Sequence, residues 1–469
     1  MTKKKTDTET LELTIQDVGY RGRGVGRDAN QVVFVPGVIE GERVRVRVTH
    51  RHKRFADAQL LEVLDPSPQR IAPACPLALR ASSEEGAPAY PCVGCAYQHM
   101  AYEEEVRMKQ RQLESLLKRM AKLDEVPFSE PVGSPLALGY RNKIRLHGGT
   151  YQGKRVLGYV GANNHSVLDV PRCLLAHETI NARLAELRGD VPSSSLSQEQ
   201  RSANPMAPPA GPTDSQNIPP SSSPPSLRAS VVQTPPSSFL QSLRRSAEVT
   251  FRWTEADGVL ESIRGVKRMS GELTEHSVLG DLTVPAGGFY QINPGVADLV
   301  VEYVRGHLGG SDCGHVLDLY CGVGVFGLAA GLAGKRVWGV DSDGRAIACA
   351  AKNVEQMLGG GDATEGPERD VVFEEGRVEY AVKEMLDTAP LDDTLAIVDP
   401  PRTGLDRRVV EALTANAPRE LVYVSCAPDT LARDLVPLVA SGYRVKEVKL
   451  FDMFPRTACF ETVVVMGRE

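Results

Sequence analysis

The sequence predicts an α/β protein whose C-terminal part is a doubly wound, Rossmann-like parallel sheet. From about residue 312 onward, short apolar runs alternate with helix-like stretches, and the runs are VLDLY, RVWGVD, VVFEEG, TLAIVDP and LVYVSC. Strands that alternate with helices in this way form a parallel sheet with both faces covered. Ligands of such sheets bind beyond the carboxyl ends of the strands, so we expect the chemistry of the chain there.

An OB-like β-barrel of five strands is predicted over residues 8–66. Valine-rich runs, LELTI, QVVFVPG and ERVRVRVTH, are separated by turns that contain glycine. The last run alternates valine with arginine, which places Arg43, Arg45 and Arg47 on one outer face. The basic stretch Arg51, His52, Lys53 and Arg54 follows directly. This face is either a binding surface for nucleic-acid phosphates or a strand edge protected by charge.

A central α+β domain is predicted over 67–190 and resumes over 246–288, before the C-terminal domain at 289–469. A helix near 101–123 is indicated by apolar residues at helical spacing, which are Val106, Leu113, Leu116, Leu117 and Met120. The intervening segment 191–245 is rich in Ser and Pro, has few charges and shows little periodicity. Such a segment buries too little apolar surface to offset its ordering entropy, so we expect a disordered insertion.

Composition places the chain among soluble, multidomain proteins. It has 469 residues, of which 42% are hydrophobic and 24% charged, and it lacks the long apolar run of a transmembrane helix. The start, MTKKKTDTETLEL, has no signal-peptide core. We expect a cytoplasmic monomer with no membrane contact and no obligate protein partner. Because the formal net charge is −6, any nucleic acid must bind to local basic patches.

A cofactor site is predicted at the end of the first parallel strand. VLDLYCGVGVFG turns through Gly322 and Gly324 into a helix, and the next strand ends at Asp341. Glycines let a ligand approach the backbone, and an acidic residue after the second strand is typical of ribose binding. The third glycine of the dinucleotide fingerprint is missing, and the turn follows DLYC. The pattern therefore favours the adenosyl group of S-adenosylmethionine over NAD.

Three reactive side chains are predicted at the ends of later strands. Asp399 begins the sequence DPPR after a buried strand, Cys426 precedes a helix, and Glu461 starts the last apolar strand. Each also has a simpler explanation, as a turn residue, a small buried thiol or a strand-edge charge. We expect the helix N-terminus to lower the pKa of Cys426.

A nucleophilic cysteine, a sulfonium cofactor and a general base are what methylation of uracil at carbon 5 requires. That carbon is too weak a nucleophile until a thiolate adds to carbon 6. A base must then remove the proton from carbon 5 before the thiolate leaves. The residues thus predict a methyltransferase acting on a pyrimidine base.

The C-terminal half resembles the RNA 5-methyluridine (uracil-5) methyltransferase family. The similar segments are GGFYQIN (287–293), DLYCGVGVFG (318–327), DPPRTGL (399–405), SCAPDTLARDL (425–435) and DMFPRTACFET (452–462). The N-terminal stretch resembles a TRAM domain, an OB-like RNA-binding module. The resemblance implies a structured RNA substrate, tRNA or rRNA. It implies the nucleophile Cys426, the general base Glu461 and four cofactor-binding residues, namely Gln291, Tyr320, Asp341 and Asp399.

Three positions depart from the family pattern. Asp341 stands where many members have Glu, which shortens the reach to the ribose. Val325 stands where members often have Asn or Thr, so it is not assigned to the cofactor. Cys459 and Phe460 replace a common His and Val next to the general base.

Four cysteines form a candidate metal site, with Cys92 and Cys95 in a CxxC pair and Cys75 and Cys173 further away. Zinc and an iron–sulfur cluster both use four cysteines. The segment resembles the CP…CGGCxxQH pattern that holds a 4Fe-4S cluster in many members of the family. Here RASSEEGAPAYP lengthens the first gap, and Val93 replaces a glycine. No CxxxCxxC trio is present, so a structural cluster is expected.

Three other functions compete with uracil-5 methylation. A nucleobase N-methyltransferase would use the DPPR segment and would not need Cys426 or Glu461. A cytosine-5 methyltransferase would carry a cysteine in the segment 399–402, which has none. A non-catalytic RNA-binding module would not need the nucleophile, base and cofactor motifs. The choice between tRNA and rRNA, and of the uridine, stays open at this point.

Overall fold

The computed structural model describes residues 9–88, 91–123, 125–151, 153–161, 165–189, 239–240, 242–244, 247–359 and 371–468. Nowhere in these ranges is a helix both long and apolar enough to cross a membrane.

The first domain is a barrel of six strands, which are β1 (Thr10–Thr14), β2 (Asp17–Gly19), β3 (Arg23–Asp28), β4 (Gln31–Pro36), β5 (Arg43–Arg51) and β6 (Phe55–Asp65). Their order in the sheet is β1-β5-β6-β4-β3-β2, with β4 and β6 parallel. The two outer strands, β1 and β2, are separated only by Ile15 and Gln16, so one bent segment forms both edges and closes the sheet. Counted together, they give the predicted five-stranded OB-like topology, and Val44, Val46 and Val48 point into its core.

The central domain is built on an antiparallel sheet. Helix α1 (Tyr102–Leu116) leads into it, and its strands are β7 (Lys143–Tyr151), β8 (Lys154–Val160), β9 (Val167–Asp169), β10 (Glu248–Thr254) and β11 (Gly258–Ile263), in the order β11-β10-β7-β8-β9. Helix α2 (Glu178–Arg188) covers one face through Ile180 and Leu184. The helix ends at Gly189, which adopts a left-handed conformation with φ 77°.

The predicted insertion 191–245 lies outside the described residues, apart from 239–240 and 242–244. Of these, Phe239 and Leu243 are buried in the same core as α2. The central domain therefore resumes by residue 239, earlier than the predicted boundary at 246. The disorder predicted for the rest of the segment stays a prediction.

A hairpin of β12 (Glu272–Ser277) and β13 (Gly280–Pro285) leads into the C-terminal sheet. That sheet consists of β14 (His315–Leu319), β15 (Arg336–Asp341), β16 (Val371–Glu375), β17 (Thr394–Val398), β18 (Glu420–Ser425), β19 (Arg444–Phe451) and β20 (Glu461–Gly467). The order is β16-β15-β14-β17-β18-β20-β19, and only β20 runs against its neighbours. All five strands predicted from the apolar runs are present.

Helices cover both faces of this sheet, which confirms the doubly wound prediction. They are α3 (Pro294–Gly310), α4 (Val325–Leu332), α5 (Gly344–Leu358), α6 (Val378–Thr388), α7 (Arg407–Ala415) and α8 (Pro428–Ala440). One core lies between the sheet and α6, α7 and α8, and the other lies beneath α3 and α4. Every residue of β17 and β18 is buried, as expected for strands that are covered on two sides.

Two segments assigned to the central domain from the sequence pack instead on the C-terminal domain. Leu113 and Leu117, from α1 and the π-helical turn Leu117–Ala121 that follows it, lie in the core next to α8. Hairpin residue Thr283 donates its backbone N–H to Asn353 of α5. Met120, predicted on the apolar face of the helix, is 45% exposed. The predicted boundaries 67–190 and 246–288 therefore do not coincide with the packing units.

A buried ion network fastens α1 to the segment before β20. The Lys109 ammonium donates to Glu105 and to Asp452, at 2.7 Å each, and all three side chains are fully buried. It also donates to the Phe454 carbonyl at 3.3 Å. Burial alone lowers the pKa of Lys109, but the two carboxylates outweigh burial and hold it above its ordinary value. The lysine is therefore charged, and its charge is compensated.

We expect Lys109→Met to lower the free energy of unfolding by about 3–5 kcal/mol, because two buried carboxylates lose their counter-ion. Denaturant unfolding at pH 7 measures this loss, which should shrink at lower pH as the carboxylates take up protons. Lys118→Met is the matched control, because Lys118 is exposed in the π-helical turn that follows α1. The free energy of unfolding of this variant should stay within about 0.5 kcal/mol of the parent. Equal stability of the two variants would contradict the network's structural role.

Candidate active site

Cys426 and Glu461 lie opposite each other at the ends of neighbouring antiparallel strands. The last registered pair of β18 and β20 is Ser425 with Thr462. Cys426 follows Ser425, and Glu461 precedes Thr462, so the next opposed positions along the two strands are the thiol and the carboxyl. Two residues that are 35 positions apart in the sequence thus meet because β20 inserts next to β18.

Glu461 is 2% exposed and sits among apolar strand residues. Burial raises the pKa of its carboxyl well above the ordinary value, and the Asp399 charge raises it further, whereas Arg402 acts in the opposite direction. A carboxyl in this setting binds a proton readily. The sequence had left open a strand-edge charge, and the burial of Glu461 argues against it.

Cys426 differs from the sequence-based expectation. Burial raises the pKa of its thiol to about 12, the Glu461 charge contributes in the same direction, and Arg402 opposes both. The structure thus differs from the prediction that the N-terminus of α8 lowers this pKa. Desolvation and a neighbouring acid outweigh the helix terminus, because both disfavour the thiolate.

Arg402 is a site residue that sequence reasoning missed, although it belongs to the DPPR segment. Its guanidinium donates to the Cys459 sulfur at 2.7 Å. It also hydrogen-bonds to Cys426, and both sulfurs raise the pKa of the arginine. Arg402 is the cation that lowers the pKa of Cys426 and of Glu461. It therefore favours the charged forms of the two groups that face each other.

The predicted cofactor end lies at the carboxyl ends of β14, β15 and β17. Asp341 accepts hydrogen bonds from the backbone N–H groups of Gly322, at 3.1 Å, and Asp343, at 2.8 Å. Tyr320 has a left-handed backbone with φ 65°, which is uncommon for a tyrosine and typical of functional turns. Asp399 is half-buried, and burial together with Asp318 and Asp341 raises its pKa to about 7.

Asp318, inside the DLYC motif, is a second residue that sequence reasoning missed. Its carboxylate is fully buried, and one oxygen accepts from the Gly327 N–H at 2.8 Å. The other oxygen has no hydrogen-bond partner within the described residues. Burial raises the pKa of Asp318 to about 7, and the Asp341 charge adds to the increase. Three carboxyl groups, those of Asp318, Asp341 and Asp399, thus face one region.

These residues fit S-adenosylmethionine. Gly322, with φ 56°, has no atom within 4 Å of the place where a Cβ would lie, so the turn opens onto free space. The neighbouring carboxylates and the unsatisfied Asp318 oxygen suit a ligand with positive charge and hydrogen-bond donors. The backbone carbonyl of Gln291 accepts a hydrogen bond from the Asn142 side chain at 3.3 Å. Across the described ranges, no hydrogen bond joins the Gln291 side chain to the other three predicted cofactor residues.

The four predicted metal ligands, Cys75, Cys92, Cys95 and Cys173, line one small cavity between the segment 75–98 and the central domain. All four are free thiols. Within the described part of the chain, however, no three His, Cys, Asp or Glu side chains converge closely enough to hold a single metal ion. Zinc requires four sulfurs at about 2.3 Å from one ion.

The basic face predicted on β5 is largely neutralised by ion pairs. Arg43 pairs with Asp65 at 2.8 Å and with Glu12 at 3.1 Å, and Arg45 pairs with Glu12 and Glu62. Surface pairs of this kind compete with phosphate binding. Lys53 remains exposed just beyond the strand, together with its neighbour Arg54. Some of the arginines of β5 therefore protect the strand edge, which was one of the two roles that the sequence allowed for them.

Two family models match the chain: tRNA (Uracil-5-)-methyltransferase over residues 373–469 and TRAM domain over residues 4–61. The first contains Asp399, Cys426 and Glu461.

Several known proteins are similar over nearly the full length. An RNA methyltransferase of Halalkalibacterium halodurans is 28% identical, and the alignment covers 100% of both chains. One of Thermosynechococcus vestitus is 29% identical, with 97% of this chain and 98% of the relative covered. The crystal structure of Pyrococcus abyssi tRNA (uracil-54, C5)-methyltransferase in complex with S-adenosyl-L-homocysteine has a TM-score of 0.62 at 22% identity. The superposition covers 97% of this chain and 100% of the Pyrococcus abyssi chain, which shows a shared fold.

We expect Arg402→Gln to shift the alkylation of Cys426 by iodoacetamide to higher pH. Loss of the cation raises the thiol pKa, so the thiolate fraction at a fixed pH falls, by about tenfold for one pKa unit. Mass spectrometry of the Cys426 peptide over a pH series measures the shift. Arg407→Gln, at a 90% exposed side chain paired with Glu411, should leave the profile unchanged. An unshifted profile in Arg402→Gln would show that the guanidinium does not act on this thiol.

Proposed function

We propose that the chain is an S-adenosylmethionine-dependent RNA methyltransferase of the tRNA (uracil-5-)-methyltransferase family and that it methylates carbon 5 of a uridine in structured RNA. The observation that carries the proposal is the opposition of Cys426 and Glu461 across β18 and β20, with Arg402 beside both. A nucleophile, a base and a cation at one point are what a covalent, base-assisted methylation of uracil needs.

Cys426 is the proposed nucleophile. As a thiolate it adds to carbon 6 of the uracil, which makes carbon 5 electron-rich. Arg402 favours the thiolate, against the burial that raises the thiol pKa. Entry of the flat base replaces remaining water in the pocket, and the guanidinium then supports the charge in a drier environment. Bound S-adenosylmethionine supplies the electrophilic methyl group, carried on a positively charged sulfur.

Glu461 is the proposed general base. Once carbon 5 carries the methyl group, the carboxylate accepts the remaining proton from carbon 5. The electrons of the broken bond between carbon 5 and hydrogen then restore the double bond of the base. The bond to carbon 6 breaks at the same time, and its electron pair leaves on the Cys426 sulfur as a thiolate. The raised pKa of Glu461 makes it a stronger proton acceptor than an exposed glutamate. Arg402 keeps enough of it ionised to act.

Asp318, Asp341, Asp399 and Tyr320 are proposed to hold the cofactor, with Gln291 on the adjoining loop. Asp341 occupies the position of a ribose-binding acid at the end of the second parallel strand. Its side chain already orders the glycine turn through Gly322. The sulfonium and the amino group are both cationic, which favours a site lined by carboxylates.

The competing functions are less well supported by this arrangement. An N-methyltransferase would have no catalytic role for Cys426 and Glu461, although Arg402 favours the charged forms of both. Cytosine-5 methylation would need a cysteine within 399–402, where the sequence is Asp-Pro-Pro-Arg. A binding module without catalysis would not require a buried acid opposite a thiol.

A 4Fe-4S cluster held by Cys75, Cys92, Cys95 and Cys173 is part of the proposal. Four thiols line one cavity, and the resemblance of their segment to a cluster-binding pattern favours a cluster over zinc. Arg141 lies close enough to lower the pKa of Cys92 and Cys95 against the effect of burial. Its charge would therefore help to keep these ligands as thiolates. The barrel is the proposed RNA-binding module, acting with Lys53 and its neighbours.

The covalent mechanism predicts that Glu461→Gln traps the reaction after methyl transfer. The variant should consume one equivalent of methyl donor and accumulate a methylated protein–RNA adduct that survives denaturing electrophoresis, because proton removal from carbon 5 fails. Cys426→Ala, alone or combined with Glu461→Gln, should give no adduct. Glu411→Gln, at an exposed helix position, is the matched control and should turn over normally. Normal turnover by Glu461→Gln would assign the base to another residue.

Anaerobically purified protein should be brown and contain about four irons per chain, with charge-transfer absorbance. Cys92→Ser should lose that absorbance, whereas Cys349→Ser, at a buried cysteine of α5 outside the cavity, should retain it. Metal analysis that finds one zinc and no iron would replace the cluster with a zinc site.

A further inference from the structure

The turn between β2 and β3 of the barrel reaches the catalytic residues of the C-terminal domain. The ring of Tyr20 contacts the ring of Phe460 edge-on, with centroids 6.1 Å apart. Phe460 directly precedes Glu461, and the groups that act on Tyr20 include Cys459 and Arg402, which hydrogen-bond to each other. Arg21 extends across to Asp429, in the first turn of α8, at 3.9 Å. A residue of the N-terminal barrel thus packs on the segment that carries Glu461, close to the cation Arg402.

The turn is held in place from behind. Gln112 of α1 donates to the carbonyls of Val18 and Gly19, at 2.9 and 3.1 Å. Gly22, with φ 76°, packs so closely that a Cβ there would lie 2.9 Å from the Tyr97 ring. Contacts with Gln112 and Tyr97 therefore hold the turn that carries Tyr20 in place.

The Tyr20 hydroxyl is available for a ligand. In the described part of the chain it has no hydrogen-bond partner, although the ring is half-buried. The charged groups that act on it are Cys459, Asp429, Arg21 and Arg402. Burial raises its pKa to about 12, so the hydroxyl keeps its proton at neutral pH and can donate it. A donor with no partner in the protein can be satisfied by a polar group of a substrate.

We propose that Tyr20 contacts the target base, donating a hydrogen bond from its hydroxyl to a carbonyl oxygen of the uracil. This inference rests on the proposed function and adds a binding residue to it from a different domain. Uracil presents two carbonyl oxygens, and addition of a thiolate to carbon 6 increases the negative charge on the carbonyl conjugated with carbon 5. A donor fixed at that side strengthens as the adduct forms. The barrel then completes the pocket in addition to binding RNA.

Tyr20→Phe separates this contact from simple packing, because phenylalanine keeps the ring against Phe460 and removes only the hydroxyl. RNA carrying 5-fluorouridine at the target traps the covalent adduct, since fluorine cannot leave as a proton. Under single-turnover conditions with saturating RNA, we expect Tyr20→Phe to form the adduct about tenfold more slowly. Its RNA affinity, measured separately by titration, should stay within about twofold. Tyr151→Phe, on the β7–β8 hairpin of the central domain, should behave like the parent.

Adduct formation by Tyr20→Phe at the parental rate would overturn the inference, as would a defect that saturating RNA removes. If the parent protein itself forms no adduct, the proposed function fails and this inference fails with it. If the parent reacts and Tyr20→Phe is indistinguishable from it, only the inference fails. Tyr20→Ala, which also removes the ring, should be slower than Tyr20→Phe if the Phe460 contact positions the hydroxyl.

Discussion

The buried charge of Lys109 is the constraint on which the arrangement of the three domains depends. An ammonium with no access to water must keep both of its carboxylates, Glu105 on α1 and Asp452 before β20. Any displacement of α1 from the C-terminal sheet would leave charges uncompensated, which fixes the position of the helix. Because Gln112, one turn further along α1, holds the barrel turn, the same helix also sets the barrel against the catalytic strands.

Arg456 extends this constraint to the cysteine segment. Its backbone is left-handed, with φ 66°, and its N–H donates to Glu105 while its carbonyl accepts from the backbone of Ala96 and Tyr97. Those two residues follow Cys95 directly, and Arg456 lies five positions before Glu461. A group bound by the cysteines would therefore order the chain that carries the base. The proposed cluster would thus have a structural role, because the proposed reaction involves no electron transfer.

The sequence predicted the parts of this molecule that depend on local pattern. Period-two valines identified the barrel, and the apolar runs identified β14 to β18, because burial on two faces requires continuous apolar residues. It did not predict the raised pKa of Cys426, since that depends in part on Glu461 and Arg402, which are distant in the sequence. It also assigned α1 to the wrong packing unit, because an apolar helix face does not specify what covers it. The arginines of β5 were visible, but their partners Glu12 and Glu62 were not.

Electrostatics links the two ends of the candidate site. Asp399 raises the pKa of Glu461, and Asp318 and Asp341 raise the pKa of Asp399, so the carboxyl groups form one chain of mutual repulsion from the cofactor turn to the base. A cationic ligand beside the three aspartates lowers their pKa values and stabilises their charged forms. Charged aspartates in turn favour a protonated Glu461, and only Arg402 opposes that effect. In the proposed reaction, methyl transfer removes the positive charge of the ligand, and the loss of this compensation would weaken product binding and favour exchange of the spent cofactor.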